Sequence, residues 1–361
     1  MNNGLRTTNK IRTAVIGAGK MGAIHAKVYG NLPQSDLVAV VDTDIDKARK
    51  LARKYRCSAF ADCSDLIRRT VHGARGTRDE GRETRNELDA VTIATPTAVH
   101  YELAKLFIEN NVAVMIEKPL ATDVSQARQV VELAKNLGVV AAVGHSERCN
   151  PVVQAMKRLQ ISPRFIEATR VSPYPFRSTD IGVVLDVMIH DIDIILSLAA
   201  SKVEKVDAVG IGIIDPDRED ICSARIVFEN GCVANITASR LALKTERKVR
   251  VFSKQAYLSL DYVEKTGTII KADTDNIDLI NKIRRLKQGG KFNLLKTDWT
   301  KLVHYEKLQI DDKEPLRLEQ EAFLQAVADK TSKPEVSAEE GLAAMECAEE
   351  ILASARKHSW D

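Results

Sequence analysis

Two clusters of ionisable side chains interrupt strongly apolar stretches of the sequence, and both could move a proton. The first is Glu117-Lys118-Pro119, which directly follows the apolar run Val112–Ile116. The proline disfavours helical backbone at Lys118 and ends the strand sharply. A partly desolvated lysine presented there can hold or deprotonate a hydroxyl group, so Lys118 is a candidate catalytic residue. The alternative is a surface turn with an ordinary Lys–Glu pair.

The second cluster lies in the apolar stretch from Val183 to Leu196, which contains Asp186, His190 and Asp193. Asp186 and His190 are four residues apart, so on a helix they share a face, and Asp193 lies on the same face. A carboxylate one turn from a histidine fixes its tautomer and raises its basicity, as a general base requires. Zinc ligation and a purely structural His–Asp pair are the alternatives. No further group of histidines or cysteines accompanies the pair, so no metal is expected.

A glycine-rich turn near the start of the sequence is the candidate nucleotide site: Gly17-Ala18-Gly19-Lys20-Met21-Gly22. The first glycine makes the tight bend, the second lets the backbone approach a pyrophosphate, and the third permits close packing of helix on strand. The helix that begins at Lys20 would offer N–H groups and a positive dipole end to the phosphates. Asp42 ends the second strand, where it would bind both ribose hydroxyls and repel a 2′-phosphate, which predicts NAD rather than NADP. The alternative is a glycine turn followed by a helix-capping aspartate.

Further candidates for cofactor binding end other strands, at the sheet edge where parallel α/β sheets bind ligands. Thr95 and Pro96 are expected to pack on the adenosine or ribose. His100, one helical turn later, could reach the nicotinamide ribose or could simply lie on a helix face. Glu117 and Lys118 end the next strand and are expected beside the nicotinamide.

Short β-rich runs and amphipathic stretches alternate from Ile11 to about His145 and must position these residues. The strand candidates are nearly continuous in apolar residues, as in strands covered on both faces: Arg12–Ile16, Leu37–Val41, Ala90–Ala94, Val112–Ile116 and Val139–Val143. The helix candidates are Ile45–Tyr55, Ala98–Asn110 and Val124–Leu137. Asp123 can cap the last of them and Gly138 can end it. The alternation predicts an α/β fold with a doubly wound parallel sheet.

After Pro151 the pattern changes to a helix and a series of strands separated in part by turn signals. The elements expected are the helices Pro151–Leu159, Val184–Ala199, Arg317–Ala328 and Ala338–Lys357 and the strands Phe165–Val171, Val206–Ile214, Cys222–Phe228, Val233–Ala238, Val249–Phe252 and Thr268–Lys271. They predict an α+β domain with a largely antiparallel open sheet. The expected domains are residues 1–148 and 149–361, with the C-terminal helices as candidates to pack back on the first domain.

Two charged segments stand apart from these elements. Arg68–Leu88 is highly charged, holds three glycines and lacks helical periodicity, so it is expected to be an exposed loop insertion rather than a functional lid. The basic stretch Lys282–Lys301 is expected to be a solvated loop rather than a phosphate site, although it could also face a membrane surface.

The bulk composition excludes several classes of protein. A chain of 361 residues favours two domains, and 53 basic against 50 acidic residues give no reason to expect nucleic acid as a partner. Six scattered cysteines without a C-x-x-C pair are typical of buried thiols in a reducing compartment. No apolar run approaches the length of a membrane span, and the N-terminus lacks a signal core. We therefore expect a cytoplasmic protein with no membrane span.

In combination, the motifs resemble those of the glucose–fructose oxidoreductase/inositol dehydrogenase (Gfo/Idh/MocA) family: Gly17–Gly22, Asp42, Ala94–Thr97, Glu117–Pro119 and the Asp186/His190 pair. The match spans nearly the whole chain from Ile11. The resemblance implies an NAD-binding Rossmann domain and a second domain whose open sheet often mediates oligomers, so a homodimer or homotetramer is expected. It also implies hydride transfer between a sugar carbon and NAD, with Lys118 and His190 as the catalytic pair and Asp186 in support.

Within the family, Gly144–Pro151 and Ser178–Asp193 resemble the branch that acts on nucleotide sugars. This resemblance implies oxidation of UDP-N-acetylglucosamine, at C3, for amino-sugar and lipid A precursors, with a pathway aminotransferase as partner. The candidate substrate-binding residues are Lys118, His145, Arg148, Asn150, Arg170, Arg177, Asp186 and His190. The three arginines could bind a diphosphate bidentately or form ordinary ion pairs. A free-sugar or cyclitol dehydrogenase and a non-catalytic NAD-binding sensor or partner protein are the alternatives.

Overall fold

A computed structural model describes residues 10–70, 88–174, 181–254, 256–271, 305–311 and 313–358 of the chain, which divides into two units. The first unit comprises Met1–Cys149 and Lys313–Glu346, and the second comprises Asn150–Asp312 and Cys347–Asp361. The division of functions between an NAD-binding domain, residues 1–148, and a substrate-binding and oligomerisation domain, residues 149–361, remains a prediction.

The sheet of the first unit consists of β1 (Ile11–Ile16), β2 (Ser35–Val41), β3 (Ser58–Phe60), β4 (Ala90–Ile93), β5 (Ala113–Glu117) and β6 (Ala141–Gly144). All neighbouring pairs are parallel, in the order β3-β2-β1-β4-β5-β6. The predicted doubly wound parallel sheet is therefore confirmed. The strand order reverses between β1 and β4, and such sheets bind ligands at the carboxyl ends of the strands around that point. β3 was not predicted, because a three-residue strand is too short to show a period.

The α-helices of the described chain are α1 (Lys20–Tyr29), α2 (Ile45–Tyr55), α3 (Cys63–Thr70), α4 (His100–Glu109), α5 (Val124–Leu137), α6 (Pro151–Lys157), α7 (Ile189–Ala199), α8 (Pro315–Ala328) and α9 (Ala338–Ala355). The predicted caps of α5 are confirmed. The Asp123 side chain accepts a hydrogen bond from the Gln126 N–H at 2.9 Å, and Gly138 ends the helix in the left-handed conformation.

Although α8 follows the second unit's sheet in the sequence, it belongs to the core of the first unit. Phe323 and Leu324 of α8 are fully buried and share one hydrophobic cluster with Val15 of β1 and Tyr29 of α1. The burial of these apolar side chains stabilises the packing of α8 in the first unit.

The bounds predicted for the exposed loop insertion, Arg68 and Leu88, are both wrong. Arg68 lies in α3, which forms because Leu66 and Ile67 bury one face of it. Leu88 is also buried rather than exposed. Residues 71–87 lie outside the described chain, as does the basic stretch 282–301.

The sheet of the second unit consists of β7 (Pro163–Val171), β8 (Val203–Ile211), β9 (Ile221–Phe228), β10 (Val233–Ser239), β11 (Glu246–Ser253), β12 (Ala256–Asp261), β13 (Thr266–Lys271) and β14 (Tyr305–Lys307). Its order is β14-β13-β12-β11-β7-β10-β9-β8, and every neighbouring pair is antiparallel except β7 with β10. The largely antiparallel sheet is thus confirmed. β12 and β14 were not predicted, although Leu258–Asp261 of β12 alternates apolar and polar residues, which was a usable signal.

The expected uninterrupted helix from Val184 to Ala199 is wrong in its first part. Val184–Met188 forms a π-helical turn, in which the Ile189 N–H bonds to the Val184 carbonyl oxygen, and α7 begins only at Ile189. π turns inside helices are frequent at functional sites. Across the described ranges, none of the helices is both long and apolar enough to cross a bilayer.

Candidate functional site

The glycine turn leaves β1 in a conformation that requires glycine. Gly17 has a φ of 98°, and a Cβ there would lie 2.5 Å from the Ala94 carbonyl oxygen. A Cβ on Gly22 would collide with the Gly17 carbonyl oxygen, so only glycine lets α1 pack on the turn. At Gly19, by contrast, no described atom lies within 4 Å of an added Cβ. The open position is the one at which the backbone was expected to approach a pyrophosphate.

The N-terminus of α1 faces this open position with its backbone donors uncapped by any described side chain. No acidic residue stands in its first turn, and Lys20 and Met21 are exposed. An uncapped helix N-terminus with this composition suits an anion, because both the N–H groups and the helix dipole favour negative charge there.

Asp42 connects the end of β2 to the glycine turn. One of its carboxylate oxygens accepts a hydrogen bond from the Ala18 N–H at 2.7 Å and the other accepts one from the Asp44 N–H at 2.8 Å. The cap of α2 is Asp44, which accepts from the N–H groups of Asp46 and Lys47. The helix-capping alternative therefore describes Asp44 and not Asp42. Each Asp42 oxygen has a further lone pair with which to accept a ribose hydroxyl.

The end of β4 lies against the same turn. A Cβ on Gly17 would be 3.3 Å from the Thr95 Cγ2, and the Thr95 Oγ1 is buried with no hydrogen-bond partner among the described residues. Pro96 is exposed. His100 is buried, with Nε2 3.0 Å from the Thr95 carbonyl oxygen and Nδ1 2.9 Å from the Pro119 carbonyl oxygen. Both of its nitrogens lie at hydrogen-bond distance from backbone carbonyl oxygens, so His100 links two strand ends. Its contact with the nicotinamide ribose remains a prediction.

Glu117 ends β5 and is held by a residue that the sequence analysis missed. The Glu117 Oε1 lies 2.7 Å from the Nε2 of His25, a fully buried residue of α1. Burial raises the pKa of Glu117, but the hydrogen bond to His25 and the nearby charge of Lys118 act against it, and the pKa is lowered overall. The only sequence signal was a histidine on the buried face of the helix that follows the glycine turn.

Lys118 follows Glu117 at the carboxyl edge of the sheet and is half-buried. The peptide bond between Lys118 and Pro119 is cis. The glycine turn, Asp42, Thr95 and Lys118 all follow carboxyl ends of strands in the first unit, as the sequence predicted.

The segment after β6 contains three of the candidate substrate-binding residues. His145 is buried, and its backbone bonds to Val143 and Arg148. The Arg148 guanidinium is buried and pairs with Glu340 at 2.9 Å. The Asn150 side chain accepts from the Val152 N–H at 3.0 Å and so caps α6. These contacts give Arg148 and Asn150 structural roles, and their contact with the substrate remains a prediction.

Asp186 and His190 are both half-buried in the second unit, Asp186 in the π turn and His190 in the first turn of α7. The π turn alters the α-helical repeat on which the expected common face of Asp186, His190 and Asp193 was based, and Asp193 is buried. Glu219 holds the start of the π turn, accepting the Val184 N–H on its side chain at 3.0 Å. Its role was not predicted.

Two buried ion pairs brace the same unit. The Arg170 guanidinium forms a bidentate pair with Asp191, at 2.8 and 2.7 Å, and both side chains are almost fully buried. This pair engages the Nε and Nη2 atoms of Arg170, two donors that a bidentate diphosphate contact would use. A contact of Arg170 with a diphosphate remains a prediction. Arg240 pairs with Asp220 at 2.7 Å and donates to the Ile181 carbonyl oxygen at 2.8 Å. The remaining candidate arginine, Arg177, and residues 178–180 lie outside the described chain.

The first unit fits a dinucleotide. It combines open space at Gly19, uncapped donors on α1, and a buried Thr95 hydroxyl lacking a partner within the described chain. In the described ranges, no group of three or more His, Cys, Asp or Glu side chains could hold a metal ion.

Comparison with known proteins gives matches over most of the chain. Residues 11–145 match an oxidoreductase family model with an NAD-binding Rossmann fold, GFO/IDH/MocA, and residues 163–259 match the C-terminal domain model of the same family. A UDP-N-acetylglucosamine 3-dehydrogenase of Acidithiobacillus ferrooxidans is 34% identical over 71% of this chain and 75% of its own length. A solved structure of that enzyme covers 96% of this chain and 98% of its own, with a TM-score of 0.79 and 28% identity.

More distant relatives share the family fold. A myo-inositol 2-dehydrogenase of Thermotoga maritima is 25% identical over 72% of this chain and 78% of its own length. A levoglucosan dehydrogenase in complex with NADH has a TM-score of 0.78 at 18% identity and covers 97% of this chain and 98% of its own.

Proposed function

Because the chain belongs to the Gfo/Idh/MocA family of NAD-binding oxidoreductases, we propose that it oxidises a secondary hydroxyl of a nucleotide-activated sugar, at C3 of UDP-N-acetylglucosamine. The structural observation that carries the dehydrogenase assignment is the dinucleotide cradle of the first unit: open space at Gly19, uncapped donors at the start of α1, and the Asp42 carboxylate held at the glycine turn. The choice of sugar is supported by the Acidithiobacillus ferrooxidans relative, at 34% identity.

In this proposal NAD, when bound, supplies the two-electron acceptor. Asp42 and Gly19 bind and orient the cofactor, and Asp42 selects NAD over NADP by repelling a 2′-phosphate. Lys118 holds the oxygen of the sugar hydroxyl, and His190 takes its proton, with Asp186 orienting the histidine. His145 and Arg177 remain candidate contacts to the substrate.

The proposal extends to the cellular setting of the reaction. A C3 ketone is the substrate that an aminotransferase needs to install an amino group, so we place the chain before such an enzyme in the synthesis of lipid A precursors. We also propose a cytoplasmic homodimer or homotetramer. Light scattering of the purified protein would test the assembly, and a monomer would contradict it.

The test of the proposed function is the appearance of NADH absorbance with UDP-N-acetylglucosamine, myo-inositol and glucose offered separately. We expect turnover with the nucleotide sugar alone. Turnover with myo-inositol would instead indicate a cyclitol dehydrogenase, as in the Thermotoga maritima relative. Tight NAD binding without turnover of any of the three would favour a sensor.

A further inference from the structure

Three side chains of the first unit form one hydrogen-bonded line that ends beside Lys118. The Gln320 Nε2 of α8 lies 2.8 Å from the His25 Nδ1, and the His25 Nε2 lies 2.7 Å from the Glu117 Oε1. Gln320 and His25 are fully buried, and Glu117 exposes 14% of its side chain. A buried line of this kind has a definite direction, because each hydrogen has one donor and one acceptor.

The direction follows from a fourth contact. The Gln320 Nε2 also lies 3.4 Å from the backbone carbonyl oxygen of His25, which can only accept. On this contact we assign the amide nitrogen of Gln320, and not its oxygen, to the side that faces His25, which leaves the buried Gln320 Oε1 without a hydrogen-bond partner among the described residues. Because this nitrogen donates to Nδ1, Nδ1 carries no hydrogen. The ring hydrogen is then on Nε2, where it is donated to the Glu117 carboxylate.

The consequence for Glu117 is a carboxylate that is fixed in place. The hydrogen bond from the His25 Nε2 and the nearby charge of Lys118 both act to lower its pKa, against the effect of burial. A glycine on the neighbouring strand, Gly144, leaves room for Glu117 in this position. A Cβ on Gly144 would lie 3.3 Å from both the Cα and the Cδ of Glu117.

We propose that Gln320 and His25 are positioning residues: Gln320 holds His25 as the Nε2-protonated tautomer, and His25 in turn anchors the Glu117 carboxylate beside Lys118. The role assigned to Lys118 rests on the proposed function, whereas the tautomer of His25 does not. The arrangement makes a helix 295 residues away in sequence part of the support of the catalytic lysine.

The first experiment is 15N NMR of the full-length protein with labelled histidine, without cofactor or sugar. Among the seven histidines, His25 is assigned by the signal that disappears in His25→Gln. We expect a pyridine-like shift at Nδ1 and a pyrrole-like shift at Nε2. Protonation of Nδ1 would overturn the inference. This measurement remains decisive even if no nucleotide sugar is turned over, so it separates a failure of this inference from a failure of the proposed function.

The second experiment compares matched variants in the assay with the substrate. His25→Leu removes the donor to a buried carboxylate, so kcat should fall about ten- to hundredfold, while His25→Gln keeps an N–H donor and should recover most of the loss. Gln320→Met should lower kcat by about tenfold or less with little change in the Kd for NAD, and it should alter the His25 Nδ1 shift. Gln325→Met, at an exposed position of α8, is the control.

Three results would contradict the positioning role. They are equal kcat values for His25→Leu and His25→Gln, a Gln320→Met variant whose NAD affinity falls as much as its kcat, and an unchanged Nδ1 shift in Gln320→Met. If His25→Leu does not fold, Gln320→Met and the wild-type shifts still decide the question.

Discussion

The carboxylate of Asp42 accepts a hydrogen bond from the backbone N–H of Ala18 at 2.7 Å, which ties the end of the second strand to the glycine turn after the first. The contact joins two residues 24 positions apart in sequence. It orients the carboxylate at the turn before any cofactor binds. Asp42, the residue expected to bind the ribose hydroxyls, is therefore already held in position for the cofactor.

Replacing Asp42 should change the cofactor preference. In Asp42→Ala the loss of an acceptor for the ribose hydroxyls should weaken NAD binding about tenfold or more, since hydrogen bonds to charged groups contribute about 1.5–3 kcal/mol. NADP binding should weaken less or improve, because the repulsion of its 2′-phosphate is removed. Fluorescence titration with both cofactors checks this, with Asp46→Asn as an exposed control. An unchanged NAD-to-NADP ratio would remove Asp42 from the site.

Substitutions at two glycines of the turn should affect different properties, NAD affinity at Gly19 and folding stability at Gly22. Gly19→Ala places its Cβ in open space, so its stability should stay within about 0.5 kcal/mol of wild type while NAD affinity falls about tenfold. Gly22→Ala collides with backbone and should cost about 1–3 kcal/mol of stability. Denaturant unfolding and NAD titration of both variants test the distinction. Equal stability losses in the two would contradict it.

Substitution of either proposed catalytic residue, Lys118 or His190, should lower kcat and leave the affinity for NAD nearly unchanged. Lys118→Met and His190→Ala should each lower kcat about 10²–10⁴-fold, as the loss of a proton-transfer group does. NAD affinity should remain nearly intact, because neither side chain is assigned to the phosphates or the adenosine ribose. Steady-state kinetics alongside NAD titration tests both. A large loss of NAD affinity in His190→Ala would mean that its role is misassigned.

Gly182 should be required for the position of the π turn. A Cβ there would collide with the carboxylate of Glu219, which accepts the Val184 N–H. Gly182→Ala should therefore release that N–H, at a cost of about 0.5–2 kcal/mol, and lower kcat more than NAD affinity. Glu219→Gln keeps an acceptor oxygen and is the matched control. Wild-type kinetics in Gly182→Ala would show that the turn tolerates the shift.

Lowering the pH should reduce the folding stability of the second unit, because the Asp220 carboxylate becomes protonated. Burial raises the pKa of this carboxyl, but hydrogen bonds from the Ile214 N–H, Arg240 and the Ile213 N–H outweigh it, so the pKa is lowered. A carboxyl with a lowered folded-state pKa contributes stability above its unfolded pKa of about 3.9, and this stability is lost as the pH falls through the folded value.

Asp220→Asn should remove that acid-sensitive part of the stability. It should also leave Arg240 buried without its anion, at a cost of about 3–5 kcal/mol at neutral pH. Denaturant unfolding between neutral pH and pH 3, compared with the exposed control Asp217→Asn, tests both statements. An unchanged slope of stability against pH in Asp220→Asn would contradict the assignment.

Features encoded within short stretches were predictable from the sequence. The glycine turn and the caps of α5 depend on residue types at fixed short spacings, and the parallel sheet was predicted from the regular alternation of apolar strand runs with amphipathic helices. The π turn was not predicted, because Val184–Met188 has the apolar composition of an ordinary buried helix. β3 was missed because it is too short to show a period.

Only the tertiary structure decided which side chains meet. The sequence determined that Glu117-Lys118-Pro119 ends a buried strand, but the contact of His25 with Gln320 depends on the path of the chain over 295 residues. Arg170 could serve a diphosphate by its chemistry, yet the fold places Asp191 against it. A side chain's type sets which bonds it can make, and the packing of distant segments sets which of those bonds it does make.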